Sequence, residues 1–302
     1  MKVLDQFIVK TLPFVPKPVV ARLSRSYIAG DSLDKAIETC KRLNREGFRV
    51  TIDILGEFVT HFDQAIESYE GYRDVLAAIA KHQINGNVSI KPTSFGMLLD
   101  KDRCFKLIDQ LMQDVKTHGN FMRLDMEDSP CTDMTIEFYD AYRKKYGPEH
   151  VGIVLQAYLR RTLNDIASIT AAGSSHFRIC KGIYVEPEAI AYKGYEEVRA
   201  NFIASLNAMF DAGAYVGIAT HDDYLYEEAA KIIKARGLKT DQYEFQMLLG
   251  VRERLRDQIR AAGHELRIYV PFGKDWYGYS VRRLKENPSL AGQFFKAMFI
   301  KG

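Results

Sequence analysis

Residues 121–127 read Phe121-Met122-Arg123-Leu124-Asp125-Met126-Glu127. Successive side chains of an extended chain point to opposite faces. Met122, Leu124 and Met126 therefore share one face, and Arg123, Asp125 and Glu127 share the other. The same alternation recurs along the chain. Val88 and Ile90 alternate with Asn87, Ser89 and Lys91. Phe177 and Ile179 oppose Arg178 and Cys180, and Tyr243, Phe245 and Met247 oppose Glu244 and Gln246. Leu266, Ile268 and Val270 oppose Arg267 and Tyr269.

These runs belong to a longer rhythm. Eight short apolar or β-branched stretches appear: Arg49–Leu55, Asn87–Lys91, Phe121–Met126, Val151–Gln156, His176–Lys181, Ala214–Thr220, Tyr243–Leu248 and Glu265–Val270. Segments of helical period lie between most of them, for example Asp63–Lys81, Asp100–His118, Thr132–Tyr146 and Glu186–Ala212. Strands alternating with helices predict a parallel sheet. Eight such units over about 250 residues predict an α/β fold of the (β/α)8 TIM-barrel type, with a doubly wound open sheet as the rival. Upstream, Ser32 caps a helix over Leu33–Glu46 that Gly47 closes. The simplest division is an N-terminal helical arm, 1–48, and a barrel catalytic domain, 49–302.

Composition sets the outer limits. The chain has 302 residues, 47% apolar and 27% charged, which excludes disordered and fibrous classes. Lys and Arg number 42 against 39 Asp and Glu, with no basic stripe, so no nucleic-acid partner is expected. Lys2, Asp5 and Lys10 interrupt the N-terminal apolar stretch, and the other apolar runs are short. Neither a signal peptide nor a transmembrane helix is predicted. Cys40, Cys104, Cys131 and Cys180 lack CxxC spacing and read as reduced cytosolic thiols.

The charged rows carry the functional signal. Outward faces of barrel strands pack on helices, so Lys91, Arg123, Asp125, Arg178, Glu244 and Arg267 must face inward, where many barrels place Val, Ile and Leu. Arg123, Glu244 and Arg267 could equally form a self-paired ionic core. Lys91, Asp125 and Arg178 sit nearer the C-terminal strand ends, the catalytic face of such barrels. A cationic, partly closed pocket there suits an anionic substrate, or a cofactor that gains negative charge. No GxGxxG follows a strand, and no GxxxxGK[ST] or GxSxG is present. His221-Asp222-Asp223 has no companion cluster to complete a metal site, so no metal is expected.

After the last strand, Trp276-Tyr277-Gly278-Tyr279-Ser280-Val281-Arg282-Arg283-Leu284-Lys285-Glu286-Asn287 reads as a helix. Glu286 lies three and four residues after the two arginines and can hold a guanidinium in place. Adjacent arginines beside aromatics could clamp a carboxylate. Spacing alone leaves a solvated helix face equally open.

Taken together, nine segments resemble the proline dehydrogenases, in particular the monofunctional bacterial type. They are Asp53-Ile54-Leu55-Gly56-Glu57, Ser89-Ile90-Lys91-Pro92, Arg123-Leu124-Asp125-Met126-Glu127 and Leu155-Gln156-Ala157-Tyr158, then Arg178-Ile179-Cys180-Lys181-Gly182-Ile183-Tyr184 and Ala219-Thr220-His221-Asp222, then Glu244-Phe245-Gln246-Met247-Leu248, Arg267-Ile268-Tyr269-Val270-Pro271 and Arg282-Arg283-Leu284-Lys285-Glu286-Asn287. Each is weak alone; in this order they are specific. The resemblance implies FAD-dependent oxidation of L-proline to Δ1-pyrroline-5-carboxylate, the first step of proline catabolism to glutamate, with electrons passing to a membrane quinone. It implies a cytoplasmic bacterial enzyme held peripherally at the inner face of the membrane, and a downstream pyrroline-5-carboxylate dehydrogenase as a partner. Phe7, Ile8, Val9, Leu12 and Phe14 could aid membrane contact or form a packed arm.

Roles follow residue by residue from the same resemblance. Arg282 and Arg283 would bind the proline carboxylate, with Glu286 orienting one of them. Lys91 would complete the anion site with Asp125 beside it, and Tyr269 and Tyr279 would wall the proline ring. Gln156 and Arg178 would contact the flavin ring, and Arg178 would stabilise negative charge developing there. Asp125 and Arg178 would thus be the catalytic pair. Lys181, Gly182, Ile183, Thr220 and His221 would line the FAD, with the backbone of Met126 touching the ring. The chain departs from the family pattern at Cys180, Ile183, Val185 and Asp222, where Val, Ala, an aromatic residue and Asn are usual. Two rivals remain from the residues themselves: a class I aldolase using Lys91 or Lys181, and a non-catalytic amino-acid-binding barrel.

Overall fold

The computed structural model of the chain describes residues 26–277, 279 and 280. Helix α1 (Leu33–Arg45) precedes β1 (Arg49–Ile54), and α2 (Phe62–His82) leads into β2 (Gly86–Ile90). A short 3-10 turn, Pro92–Phe95, precedes α3 (Lys101–Thr117). There follow β3 (Met122–Leu124), α4 (Ser129–Tyr146), β4 (Val151–Gln156), α5 (Thr162–Ala171) and β5 (His176–Cys180). Then come α6 (Tyr195–Asp211), β6 (Tyr215–Ala219), α7 (Asp223–Arg236), β7 (Tyr243–Leu248), α8 (Glu253–Ala261) and β8 (Leu266–Phe272). The strands close in sequence order into a parallel barrel, with β8 pairing β1 from Arg49↔Arg267 to Ile54↔Phe272. This is the (β/α)8 barrel that the alternating pattern predicted.

The main core lies between strands and helices. Val50, Ile52, Val88, Ile90, Met122, Leu124, Phe177, Ile179, Phe245 and Ile268 point outward into it. Each helix answers with one apolar stripe, as α1 does with Ala36, Ile37, Cys40 and Leu43. Burying an aliphatic or aromatic side chain here contributes about 1.5–3 kcal/mol. Little apolar area is left for the lumen, which Thr51, Asp53, Asn87, Ser89, Arg123, Arg178, Glu244 and Gln246 fill as buried polar groups.

Several boundaries differ from the sequence pattern. Ser32 occupies the N-cap of α1 but its hydroxyl makes no capping bond. The third strand is only Met122–Leu124, and Asp125 closes it by donating its backbone N–H to Ile90 O at 2.8 Å. The helix expected over Glu186–Ala212 starts at Tyr195. Residues 182–194 instead fold back on the β4–α5 loop, where Leu159 bridges Ala191 and Tyr192 N donates to Tyr158 O. Glu186 is spent on α4, accepting from Ser129 N at 2.6 Å and Ser129 Oγ at 2.8 Å. Pro187 following it also weakens a helix at that point. β8 runs through Pro271 to Phe272, a proline tolerated near the strand end because its carbonyl still accepts from Ala29 N.

Candidate active site

Five strands deliver one hydrogen-bonded cluster to the C-terminal end of the barrel. Asp125, one residue beyond β3, is its hub. Oδ1 of Asp125 accepts from Ser89 Oγ at 2.6 Å and from Arg178 Nη1 at 2.7 Å. Oδ2 accepts from the Tyr269 hydroxyl at 2.7 Å. Lys91 Nζ lies 4.0 Å from Oδ2 and donates to Asp53 Oδ1 at 2.8 Å. Of the sequence-predicted site residues, the structure thus brings together Lys91, Asp125, Arg178 and Tyr269.

Asp53 and Ser89 were not among the predicted site residues. Asp53 was legible: it shares the inward parity of Thr51 in β1, opposite Val50, Ile52 and Ile54. Its presence corrects the expected cationic pocket. Among the described residues the two cations Lys91 and Arg178 face the two carboxylates Asp53 and Asp125.

Electrostatics sort these groups. Burial disfavours charge on Asp125, but Arg178, Lys91 and the hydrogen bonds from Ser89 and Tyr269 outweigh it and hold the carboxyl below the ordinary range. Burial, with Asp125 nearby, raises Asp53. Burial also opposes the Lys91 ammonium, yet Asp53 and Asp125 hold it protonated well above its ordinary value. A lysine so held is a poor amine nucleophile, which argues against Lys91 as the Schiff-base lysine of the aldolase rival. The Tyr269 phenol is buried beside Asp125 and Asp53 and keeps its proton, so it is a donor.

Arg178 is held from both sides. Its Nε donates to Gln246 Oε1, and Gln246 Nε2 donates to Glu244 Oε1 at 2.7 Å. Gly217 makes room for that amide: a Cβ there would lie 2.5 Å from Gln246 Nε2. Below this level Glu244 takes Arg267 Nε at 2.6 Å and Nη2 at 3.0 Å. Arg123 turns away to His176, with Nη2 2.9 Å from Nδ1. Glu244 and Arg267 therefore pair with each other, the ionic core that was the alternative to function, while Arg123 is spent on the His176 ring and on the Ile153 and His176 carbonyls. Glu127 is not in the lumen at all. The strand ends at Leu124, the alternation stops, and Glu127 turns to Thr93.

The predicted cofactor residues form a rim on β4, β5 and β6. Gln156 ends β4, and its Nε2 donates to the backbone O of Met126 at 3.1 Å. Gly182 has φ +101°, and a Cβ there would sit 2.0 Å from the Tyr158 ring, so only glycine fits. Ile183 and Val185 are exposed, at 57% and 99%. Thr220 Oγ1 accepts from Asp222 N at 3.1 Å, and His221 Nε2 accepts from Leu248 N at 2.9 Å.

Asp222 ties this rim together. It accepts from Lys181 Nζ, Tyr195 Oη and Arg199 Nη2, each at 2.7 Å, and caps α7 through Tyr224 N at 3.1 Å. Burial opposes its ionisation, but the bonds from Arg199, Lys181 and Tyr195 hold it well below the ordinary range. Asp222 thus anchors Lys181, one of the predicted cofactor contacts.

Buried atoms in this region that make no hydrogen bond among the described residues include Arg178 Nη2, a donor, and Gln156 Oε1, an acceptor, besides Asp53 Oδ2 and the Tyr158 hydroxyl. Buried polar groups left so are costly, about 1–3 kcal/mol each, and point to a missing partner. A flat, polar-edged ring system such as a flavin, offering an acceptor to Arg178 Nη2 and an N–H to Gln156 Oε1, fits the demand of those two. Tyr279 packs with Trp276 against Tyr27, Ile28 and Leu55. Arg282, Arg283 and Glu286 lie outside the described residues, as do Phe7, Ile8, Val9, Leu12 and Phe14.

The profile of the family described as Proline dehydrogenase matches residues 36–294, a span containing all eight strands. The chain belongs to the proline dehydrogenase family. Proline dehydrogenase 2 of Bacillus subtilis (strain 168) is 37% identical over 271 residues, which is 90% of this chain and 88% of that protein. The proline dehydrogenase of Deinococcus radiodurans is 35% identical over 283 residues, covering 93% of this chain and 91% of its relative. In solved structures, proline utilization A from Bdellovibrio bacteriovorus inactivated by N-propargylglycine superposes with a TM-score of 0.83 at 23% identity. That match covers 94% of this chain but 36% of the Bdellovibrio chain, and it supports the shared fold. As a proline dehydrogenase the chain is an oxidoreductase of proline catabolism, of the monofunctional bacterial type.

Proposed function

We propose that this enzyme oxidises L-proline to Δ1-pyrroline-5-carboxylate with FAD, and that a quinone at the inner face of the bacterial cytoplasmic membrane takes the electrons. The observation that carries the cofactor assignment is the pair of orphaned atoms, Arg178 Nη2 and Gln156 Oε1, beside the Asp125 cluster. When bound, FAD supplies the hydride acceptor. Arg178, fixed by Asp125 and Gln246, presents a permanent cation toward it. Gln156 offers its free carbonyl, Met126 its backbone, Lys181 its ammonium, and Gly182, Ile183, Thr220 and His221 the remaining lining.

On the substrate side Lys91 presents a second fixed cation to the proline carboxylate. Arg282 and Arg283, oriented by Glu286, would complete the clamp, and Tyr269 and Tyr279 would wall the ring. Asp125 stays ionised and anchors Arg178 and Tyr269 while the amine gives up its proton and the adjacent C–H bond breaks. Fixing these groups beforehand is a source of rate, because nothing need reorganise when charge develops. The product would feed a downstream pyrroline-5-carboxylate dehydrogenase. No described helix is long and apolar enough to cross a membrane, which fits a peripheral encounter with quinone.

Purified protein should be yellow and should bleach on anaerobic addition of L-proline. A colourless protein that takes up no FAD defeats the cofactor assignment. A yellow one that proline leaves unchanged defeats the substrate assignment. Arg283→Ala should raise KM for proline strongly while FAD stays bound; an unchanged KM removes the clamp.

A further inference from the structure

Two buried carboxylates share the C-terminal end of the barrel, and their surroundings differ. Asp125 has both oxygens filled: Ser89 Oγ and Arg178 Nη1 donate to Oδ1, and the Tyr269 hydroxyl donates to Oδ2. Asp53, buried on β1, is served on one side only. Lys91 Nζ donates to its Oδ1 at 2.8 Å, while its Oδ2 makes no hydrogen bond among the described residues. The two phenols beside it spend their protons elsewhere. Tyr269 donates to Asp125, and the Tyr72 hydroxyl, 3.4 Å from Asp53 Oδ1, lies nearer the Ser89 carbonyl oxygen, at 2.7 Å. Lys91 Nζ thus stands between a saturated carboxylate, 4.0 Å away, and an unsaturated one.

Oxidation of an amino acid at the carbon beside its nitrogen needs such an asymmetry. The zwitterion brings an ammonium, which must lose a proton before the nitrogen lone pair can drive the hydride out. We propose that Asp53 accepts that proton through Lys91, a reading that rests on the function proposed above. As the amine proton moves to Lys91 Nζ, a proton already on Nζ moves to Asp53 Oδ1. The substrate N–H and one Nζ–H bond break; a new Nζ–H and an Oδ1–H form. Lys91 ends as the ammonium it began as, Asp53 ends neutral, and the amine holds its lone pair. The C–H electron pair then leaves with the hydride for the flavin, the lone pair closes the C=N bond, and Asp53 returns its proton to solvent after product departs.

Geometry selects Asp53 over Asp125. A proton on Asp125 would have to displace a donor, whereas a proton on Asp53 neutralises a buried charge that already has an unpartnered oxygen. Burial raises Asp53 more than Lys91 lowers it, and Asp125 adds to the rise. Asp125 is buried too, but Arg178 and Lys91 hold it down. Carboxyls pushed apart in this way divide the acid and base roles of a site. The titratable groups facing Asp53 are Lys91 at the end of β2, Asp125 after β3, Tyr269 of β8 and Tyr72 of α2. Lys91 and Arg178 also disfavour a substrate ammonium beside them, which eases its loss of the proton.

The test is anaerobic stopped-flow reduction of the flavin-loaded full chain by saturating L-proline, between about pH 5 and about pH 10. Wild-type reduction should fall on the acid side, with a limb above the ordinary aspartate value of 3.8, as Asp53 becomes protonated in advance. Asp53→Asn keeps an oxygen for Lys91 but accepts no proton. It should slow reduction about a hundredfold near neutrality and return to within about tenfold of wild type at the alkaline end, where the amine arrives free. A variant slowed equally at every pH, or one that keeps the wild-type limb, overturns the proposal and leaves Asp53 as a structural partner of Lys91. A second measurement needs no variant. With a pH indicator in weak buffer, wild-type flavin reduction near neutrality should release no proton in the same phase. One proton released per flavin, in step with reduction, overturns the relay. If proline leaves the wild-type flavin oxidised, the proposed function fails and this reading falls with it; a reduced flavin with an unmoved limb fails this reading alone.

Discussion

The Tyr269 hydroxyl donates to Asp125 Oδ2 at 2.7 Å from a strand 144 residues further along the chain. The bond closes one side of the Asp125 cage, with Arg178 and Ser89 on the other oxygen. Arg178 also lies with its guanidinium carbon 5.3 Å from the centre of the Tyr269 ring. One tyrosine thus braces both members of the proposed catalytic pair.

Tyr269→Phe removes that bond and keeps the ring. A hydrogen bond to a charged acceptor contributes about 1.5–3 kcal/mol. Steady-state assays should show kcat/KM for proline reduced about ten- to a hundredfold, with the melting temperature lowered by a few degrees. An effect below twofold would mean that Asp125 is held well enough without it.

Arg178→Lys keeps the charge but cannot satisfy Asp125, Gln246 and a third partner at once, because the rigid fork of donors is lost. Stopped-flow measurement should find flavin reduction by proline slowed about a hundredfold. A lysine variant reducing its flavin at the wild-type rate would exclude the orphaned Nη2 from the chemistry.

Gly182→Ala forces a Cβ to within 2.0 Å of the Tyr158 ring at a backbone angle that disfavours it. Backbone strain of this kind costs about 1–3 kcal/mol. The cradle should open and FAD retention should fall at least about tenfold on dilution, read as free-flavin fluorescence. Ile183→Ala, at an exposed position next door, should retain FAD much better.

Asp222 links stability to acid pH. Its folded pKa is depressed, so the stability it contributes is present above the ordinary carboxylate value of 3.8 and is lost as pH falls through the lower folded value. The melting temperature of wild type should exceed that of Asp222→Asn near neutrality. The gap should narrow as pH falls below about 4. A gap that is constant across this range would show that the carboxylate charge does not stabilise Lys181 and Arg199.

Much of this molecule was legible in the sequence because strand alternation is a local property. Phe121–Glu127 announced one apolar and one polar face, and eight similar runs separated by helical segments implied a closed barrel. Lys91, Asp125 and Arg178 were found by the same parity together with their place near strand ends, and Tyr269 by the family resemblance. The errors lie where a strand stops. Glu127 follows the parity on paper, yet β3 ends three residues before it and the side chain leaves the lumen. Glu186 looked like the start of a helix because its loop is polar and periodic, but it caps α4 instead. Asp53 was overlooked although Thr51 and Asp53 carry the same signal as the other rows.

The sequence by itself determined the order of elements, which faces are buried, and that charge must enter the barrel, since all of these depend on neighbours within a few residues. Only the tertiary structure decided which charges meet. Arg178 reaches Asp125 across 53 residues and Arg267 is neutralised by Glu244 and not by the site, because barrel closure and strand stagger set the height of each side chain in the lumen. Those quantities belong to all eight strands at once, so no single segment records them.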